Sequence, residues 1–199
     1  KRTGIAEHLK RFRREAHILA SLNHPNIIQI FDYGVDNGIP YIVEELLEGQ
    51  PLEELIEDKG KLPPSRVVAI GSQISEALGY AHSREVIHRD LKPANIFISP
   101  EDKVTVLDFG LAKATDDSTA ITETGNLVGT YLYMAPEVLQ GKNYGPPADI
   151  YALAIVLYHA LSEDFPHHLD SPQSVMKKVF DRPQPLAKAA PFLPRGLCT

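Results

Sequence analysis

The stretch HRDLKPANIF, residues 88–97, sets His88, Arg89, Asp90, Lys92 and Asn95 within eight positions. Side chains crowded in this way share solvent, pair with one another, or hold something. Lys, Asp, Pro and Asn are ordinary turn residues, so a solvated turn between two strands would account for the composition. The alternative is a site where a base, a cation and a metal ligand converge. The flanking sequence has to decide between the two.

Downstream, NIFIS (95–99) and VTVLD (104–108) alternate short apolar runs with polar loops, as does VIH (86–88) upstream; all three read as small strands. Val67, Ile70, Ile74, Ala77 and Ala81, after Pro63-Pro64-Ser65, mark a long helix beneath them. Thirteen residues after Asn95 comes Asp108-Phe109-Gly110 at the end of a predicted strand. Asn95 and Asp108 are oxygen ligands suited to Mg²⁺, which keeps waters and shares substrate phosphates. Asp90 could accept a proton from an attacking hydroxyl, and Lys92 could neutralise charge on a phosphoryl group in transfer. Residues 109–135 are rich in Thr, Gly, Asp and Ser with little periodicity, and so long a loop inside a domain is usually functional. It closes on GTYLYMAPE, residues 129–137.

Further out, Leu9, Phe12, Ala16 and Leu19 make an amphipathic helix of the first twenty residues, ending at SLNHPN. IIQIFDYG and IPYIVEEL are β-like runs joined through Asp36-Asn37-Gly38, a hairpin signal. Glu48–Gly60 reads as a short polar helix and loop. Ala148–Leu161 is apolar all round, the pattern of a buried helix. Ser171-Pro172 supplies an N-cap and first-turn proline for a helix of about nine residues. The tail RPQPLAKAAPFLPRGLCT is proline-rich and shows no closing element, and the chain has no internal repeat. The pattern is a small β portion followed by a mostly helical one.

Composition narrows the function classes. Over 199 residues, 43% hydrophobic and 23% charged describe a soluble globular chain, and a net charge of −6 gives no electrostatic case for nucleic acid. The basic run Lys10, Arg11, Arg13 and Arg14, interleaved with Phe12 and Glu15, reads as a solvated helix face. The single cysteine, Cys198, excludes an internal disulfide framework and a Cys-based zinc cage, and points to a reducing compartment. No signal peptide opens the chain, and its longest apolar run, IYALAIVLY, is too short for a bilayer. The histidines show no zinc-ligand spacing, and His167-His168 reads as surface. On residues alone, Glu15 is a solvated helix residue, Asp149 an N-cap, and Phe97 and Leu107 core.

HRDLKPAN, DFG and APE, in that order and with a long loop between the last two, resemble a eukaryotic-type (Hanks-type) serine/threonine protein kinase. RFRREAHILASLNHPNII and VIHRDLKPANIF are similar to the bacterial members. The resemblance implies an α+β, protein-kinase-like two-lobe fold: residues 1–47 as a partial small β lobe with its helix, strands and hinge, and 48–199 as a mainly helical large lobe incomplete at its C-terminal end. It implies transfer of the ATP γ-phosphate to Ser/Thr hydroxyls of a protein substrate, with ATP and Mg²⁺ as cofactors. Asp90 would be the base, Asn95 and Asp108 the metal ligands, and Lys92 and Thr130 the marks of the Ser/Thr-specific form. Glu15 would pair with the ATP-binding lysine. Glu45 to Leu47 would be the hinge that bonds adenine, with Phe97 and Leu107 under the ring. Asp149 would brace the catalytic loop from below, and Glu137 would await an arginine from the final helices. Arg89 would bind a phosphate on Thr122 or Thr124, placed in trans by another copy through self-association. A cytoplasmic domain is implied, with any membrane tether outside this chain.

Some family features are missing. No two glycines are separated by a single residue, so the GxGxxG phosphate loop is absent, as is a strand bearing a VAIK-like lysine; Lys1 lies only fourteen residues before Glu15. Losses at both ends with an intact middle describe a truncated sequence rather than a degenerate kinase, and residues 1–199 alone are expected to be inactive. Glu44 occupies the gatekeeper position, where a carboxylate behind adenine needs a partner or a raised pKa. Ala154 stands where glycine is frequent. A non-catalytic scaffold is opposed by the retained Asp90 and Asp108, and a small-molecule phosphotransferase by the GT…APE segment.

Overall fold

The computed structural model describes residues 2–109, 131–142, 144–167, 177–194 and 196. Helix α1 (Arg2–Ala20) buries Phe12, Ala16 and Leu19 along one stripe, while Lys10, Arg13 and Arg14 lie on the solvent side. The helix packs on the hairpin of β1 (Ile30–Asp36) and β2 (Ile39–Glu44), paired from Ile30↔Glu44 to Asp36↔Ile39. That register leaves Asn37 and Gly38 as the two turn residues, with φ of 49° and 84°. Positive φ at both positions is what a type I′ turn needs, and it matches the strand twist.

A second, three-stranded antiparallel sheet orders β3 (Gln50–Pro51), β4 (Ile96–Ile98) and β5 (Val104–Val106). The segment after α1 ties the hairpin to this sheet: Ile28 donates to Val106 O at 3.0 Å, and Val106 donates to Asn26 O at 2.8 Å. Gly49, just before β3, has φ of 135°, and a Cβ there would lie 2.2 Å from Ile98 O, so only glycine allows this approach.

The helical part is built around α2 (Leu52–Lys59), α3 (Pro64–His82) and α5 (Pro146–Ser162), with short helices α4 (Pro136–Leu139), α6 (Lys177–Phe180) and α7 (Leu186–Ala189). Helix α3 starts on Pro64, whose missing N–H costs nothing in a first turn. Its buried Val67, Ile70, Ile74, Ala77, Leu78 and Ala81 face β5 and α5. One cluster runs from Leu19 and Leu22 through α3 and the second sheet to Val156 and Leu193. Each such aliphatic side chain contributes roughly 1.5–3 kcal/mol on burial.

Several expectations change. Residues 86–88 form no strand: Val86 N–H turns back to Ala81 O, and His88 N–H is taken by a side chain. The tail does carry a packed element, since α7 leads into Ala190 and Leu193, which are buried in the core. Helix α5 is not buried all round; Ile150 is 51% exposed and Ala154 also faces out. His167 is buried rather than on the surface. Of the helix expected after Ser171-Pro172, only Lys177–Phe180 lies within the described residues, and of the long loop only 109 and 131–135 do, the latter a helical turn at 131–133 that leads into α4.

Candidate active site

The 88–97 loop hangs from one buried carboxylate. Asp149 lies in the first turn of α5 and is 2% exposed. Its Oδ2 accepts from His88 N at 2.8 Å and from His82 Nε2 at 2.7 Å, and its Oδ1 accepts from Arg89 N at 3.0 Å. The N-cap of α5 is Gly145, so Asp149 is not a cap. It spends its lone pairs on the loop, and a buried carboxylate persists only when its acceptors are used in this way.

His88 makes the second tie. Its ring is fully buried, its Nε2–H donates to Leu107 O at 2.9 Å, and its Nδ1 accepts from Asp90 N–H at 3.3 Å. Those partners select the neutral Nε2–H tautomer. Burial lowers the pKa, although the negative charge of Asp149 opposes it. The ring also packs on Phe109 with centroids 4.6 Å apart. His88 thus joins the loop carrying Asp90 to the segment carrying Asp108. The sequence reading gave it no role; apolar Val86 and Ile87 just before it were the available sign that it turns inward.

The polar residues then fall into place. Pro93–Asn95 forms a 3₁₀ turn that delivers Asn95 to the start of β4. Asn95 Nδ2 donates to Asp90 O at 2.9 Å and to Asp90 Oδ2 at 3.3 Å, and Lys92 Nζ stands 2.9 Å from the same Oδ2. Antiparallel pairing of Ile96 with Val106, extended by Leu107 N–H to Asn95 O at 2.9 Å, makes Asn95 and Asp108 leave the same end of the β4–β5 hairpin. Arg89 and Asp108 both have left-handed backbone, with φ of 71° and 53°. Aspartate tolerates this region, but arginine rarely adopts it, and such strain costs of order 1–3 kcal/mol held by the surroundings. Here the Asp149 bond to Arg89 N–H supplies the hold, and the Arg89 side chain projects to solvent.

The donor set fits a hard cation. With Asn95 Nδ2 committed to Asp90, its Oδ1 is the oxygen left to offer, and Asp108 is an exposed carboxylate. Among the described residues no three His, Cys, Asp or Glu side chains cluster as a metal cage. Two protein oxygens completed by waters and phosphates are what Mg²⁺ prefers. Glu44, at the end of β2, is exposed yet loses part of its water shell, which raises its pKa, and the charge of Asp108 raises it further.

Other expected site residues fall nearby. Glu15 faces a cavity of about 400 Å³ that Arg14, Val86, Arg89 and Phe109 also line. Glu45 N–H donates to Gln29 O at 2.9 Å, and the chain then runs outside any strand past Leu46, 94% exposed, to half-buried Leu47. Phe97 and Leu107 are half-exposed, not core: Ile96 and Ile98 take the inner face of β4, and strand alternation turns Phe97 to the other. Glu44 is exposed rather than sunk behind a ligand site, and Glu137, in the first turn of α4, is half-buried, so neither carries the cost of a sealed, unpaired charge. Lys1, Thr122, Thr124, Thr130 and His168 lie outside the described residues.

The site geometry is a carboxylate held by an amide and a lysine, with Asn95 and Asp108 at one hairpin end. Residues 1–192 match the protein kinase domain. The chain belongs to the protein kinase domain family. It is 41% identical over 169 residues to the serine/threonine-protein kinase PknB of Mycobacterium leprae, covering 83% of this chain and 27% of that protein. It is 41% identical over 182 residues to the serine/threonine-protein kinase PrkC of Bacillus subtilis, covering 92% of this chain and 28% of that one. The chain therefore spans little more than a quarter of the length of these curated relatives. This kinase-family chain has, among its described residues, no helix long and apolar enough to cross a membrane.

Proposed function

We propose that this chain carries the phosphoryl-transfer site of a serine/threonine protein kinase that uses ATP with Mg²⁺. The observation that carries the reading is the Asp90 carboxylate, held between Asn95 Nδ2 and Lys92 Nζ on a loop anchored by Asp149. Asp90 Oδ2 accepts the proton of a Ser or Thr hydroxyl as that oxygen attacks the γ-phosphorus of ATP and the bond from that phosphorus to the bridging oxygen breaks, releasing ADP. Lys92, adjacent to the same oxygen, offsets the charge growing on the transferred group. Asn95 and Asp108 would hold the cation, which when bound supplies charge neutralisation on the nucleotide phosphates. The half-exposed faces of Phe97 and Leu107 suit the underside of a flat base, and backbone between Glu45 and Leu47 would bond its edge. Glu15 on α1 would orient a lysine that binds the phosphates.

The relatives' names support Ser/Thr hydroxyls of proteins as acceptors. Residues 1–47 and 48–199 act as small-lobe and large-lobe portions on this reading, in a cytoplasmic domain. Its switch is Arg89 pairing with a phosphate on Thr122 or Thr124, added in trans by a second copy. A phosphothreonine brings nearly two negative charges and three acceptors, enough to order a polar loop around an exposed arginine.

The test is mass spectrometry of a protein acceptor incubated with the intact gene product, ATP and Mg²⁺. Phosphoserine or phosphothreonine should form and should vanish with Asp108→Ala. Product formation that survives Asp108→Ala would dismiss the assignment of the metal ligands, and modification of small molecules alone would dismiss the protein-kinase reading.

A further inference from the structure

Lys178 is the most deeply buried lysine described, at 4% exposure, on the short helix α6. Its Nζ donates to Tyr131 O at 2.9 Å, Leu132 O at 2.5 Å and Met134 O at 3.1 Å. An ammonium has three donors, and all three are used on backbone carbonyls. These carbonyls belong to the helical turn at 131–133 and the residue after it, where a helix leaves its C-terminal C=O groups unmatched and favours a cation. From α5 the Tyr151 ring lies 5.3 Å from Nζ. The site is thus built around one cation without a carboxylate, and what it fixes is backbone.

We propose that Lys178 is a positioning residue for the acceptor protein: it clamps residues 131–134 into the shelf against which the substrate chain lies beside Asp90. The inference rests on the protein-kinase reading above. It also has a reason in the geometry, because residues 133–135 line a small cavity together with Arg89, Asp90 and Leu91. A shift of this turn moves the acceptor's seat without touching Asn95 or Asp108. ATP and its cation are therefore unaffected by the clamp, whereas the acceptor is sensitive to it.

The clamp depends on protonation. Burial lowers the Lys178 pKa to about 7. A neutral amine has two donors and turns a lone pair toward a carbonyl, so the turn loosens as pH rises through that value. The titratable and charged groups around it are His167, whose pKa burial and then the Lys178 charge lower, Asp181 acting on His167, and Tyr151 with Glu137 acting on it.

The experiment uses the intact kinase and an acceptor peptide lacking groups that titrate between pH 6 and 9. Lys178→Met, which keeps the bulk and leaves three carbonyls unmatched, should raise the peptide KM about tenfold with the ATP KM within twofold. In the unmodified kinase the peptide KM should climb severalfold from pH 6 to 8.5 while the ATP KM does not follow it, and Lys178→Met should flatten that rise. Peptide and ATP KM moving together, or neither moving, would overturn the clamp. If Lys178→Met binds no ATP and so has not folded, the unmodified pH series decides, and a flat peptide KM overturns the proposal. No Ser/Thr transfer by the unmodified protein would instead overturn the kinase reading, and the clamp with it.

Discussion

The 88–97 loop and the β1–β2 hairpin are both made of short, irregular pieces, yet they are held in opposite ways. The loop is determined by polar bonds at buried and half-buried atoms: Asp149 to three N–H groups, His88 to Leu107, Asn95 to Asp90. The hairpin shows solvent its apolar side chains, with Phe31 at 67%, Ile39 at 69% and Val43 at 45% exposure. Buried polar networks are high-stakes, since each unmatched member carries a desolvation cost, and so they fix one geometry. An exposed apolar surface fixes nothing by itself. The proposed site lies where the geometry is fixed.

This contrast can be broken by substitution. Asp149→Ala should have the largest effect, because it strands the buried N–H of His88 together with the half-buried His82 Nε2 and Arg89 N–H. A loss of about 3–5 kcal/mol in denaturant unfolding is expected. A loss below about 1 kcal/mol would mean the loop is held by something else.

A smaller effect concerns pH. Burial lowers the pKa of His88, His159 and His167, while in the unfolded chain each returns toward 6.5. The unfolded state then binds more protons below that value, so stability is complete above it and falls as pH drops through about 6.5 toward 5. Unfolding midpoints across that window should decline, by at most about 1.4 kcal/mol per pH unit for each histidine. A midpoint that rises on acidification would contradict the neutral His88 tautomer.

Smaller still, Glu44→Met should leave the ATP KM of the intact kinase unchanged or lower it by about threefold, as it removes a carboxylate that Asp108 repels. A higher KM would show that Glu44 serves the nucleotide. Smallest of all, Leu46→Ser, at a side chain 94% exposed, should shift stability by no more than about 0.5 kcal/mol. A larger shift would mean the hairpin end is packed after all.

What could be read in the sequence follows the same division. Helix α1, the Asn37-Gly38 turn and helix α3 are local in origin, and periodicity and turn chemistry showed them. The loop motif suggested Asp90, Lys92, Asn95 and Asp108 as one group, and the structure places Lys92 and Asn95 on Asp90 with Asn95 and Asp108 at one end of the β4–β5 hairpin. The missed features are long-range. On residues alone Asp149 read as a cap, because its partners, His82 and His88, lie over sixty residues away, and only the family resemblance placed it beneath the loop. On residues alone Phe97 and Leu107 read as core, because hydrophobicity does not say which face of the β4–β5 hairpin is covered. Helix α7 was hidden by the prolines around it, and Lys178 by ordinary composition, since nothing nearby in sequence announces the three carbonyls it meets.

The central claim is that Asp90, placed by Asn95 and Lys92, is the base of phosphoryl transfer. It is tested most directly by single-turnover transfer from ATP to a serine peptide in the intact kinase, comparing Asp90→Asn with the unmodified protein at saturating nucleotide. The account predicts a rate at least about a thousandfold lower, with nucleotide affinity within about threefold, because general-base catalysis contributes roughly 10²–10⁴ and the carboxylate also orders its neighbours. A rate within about threefold of the unmodified kinase would contradict it.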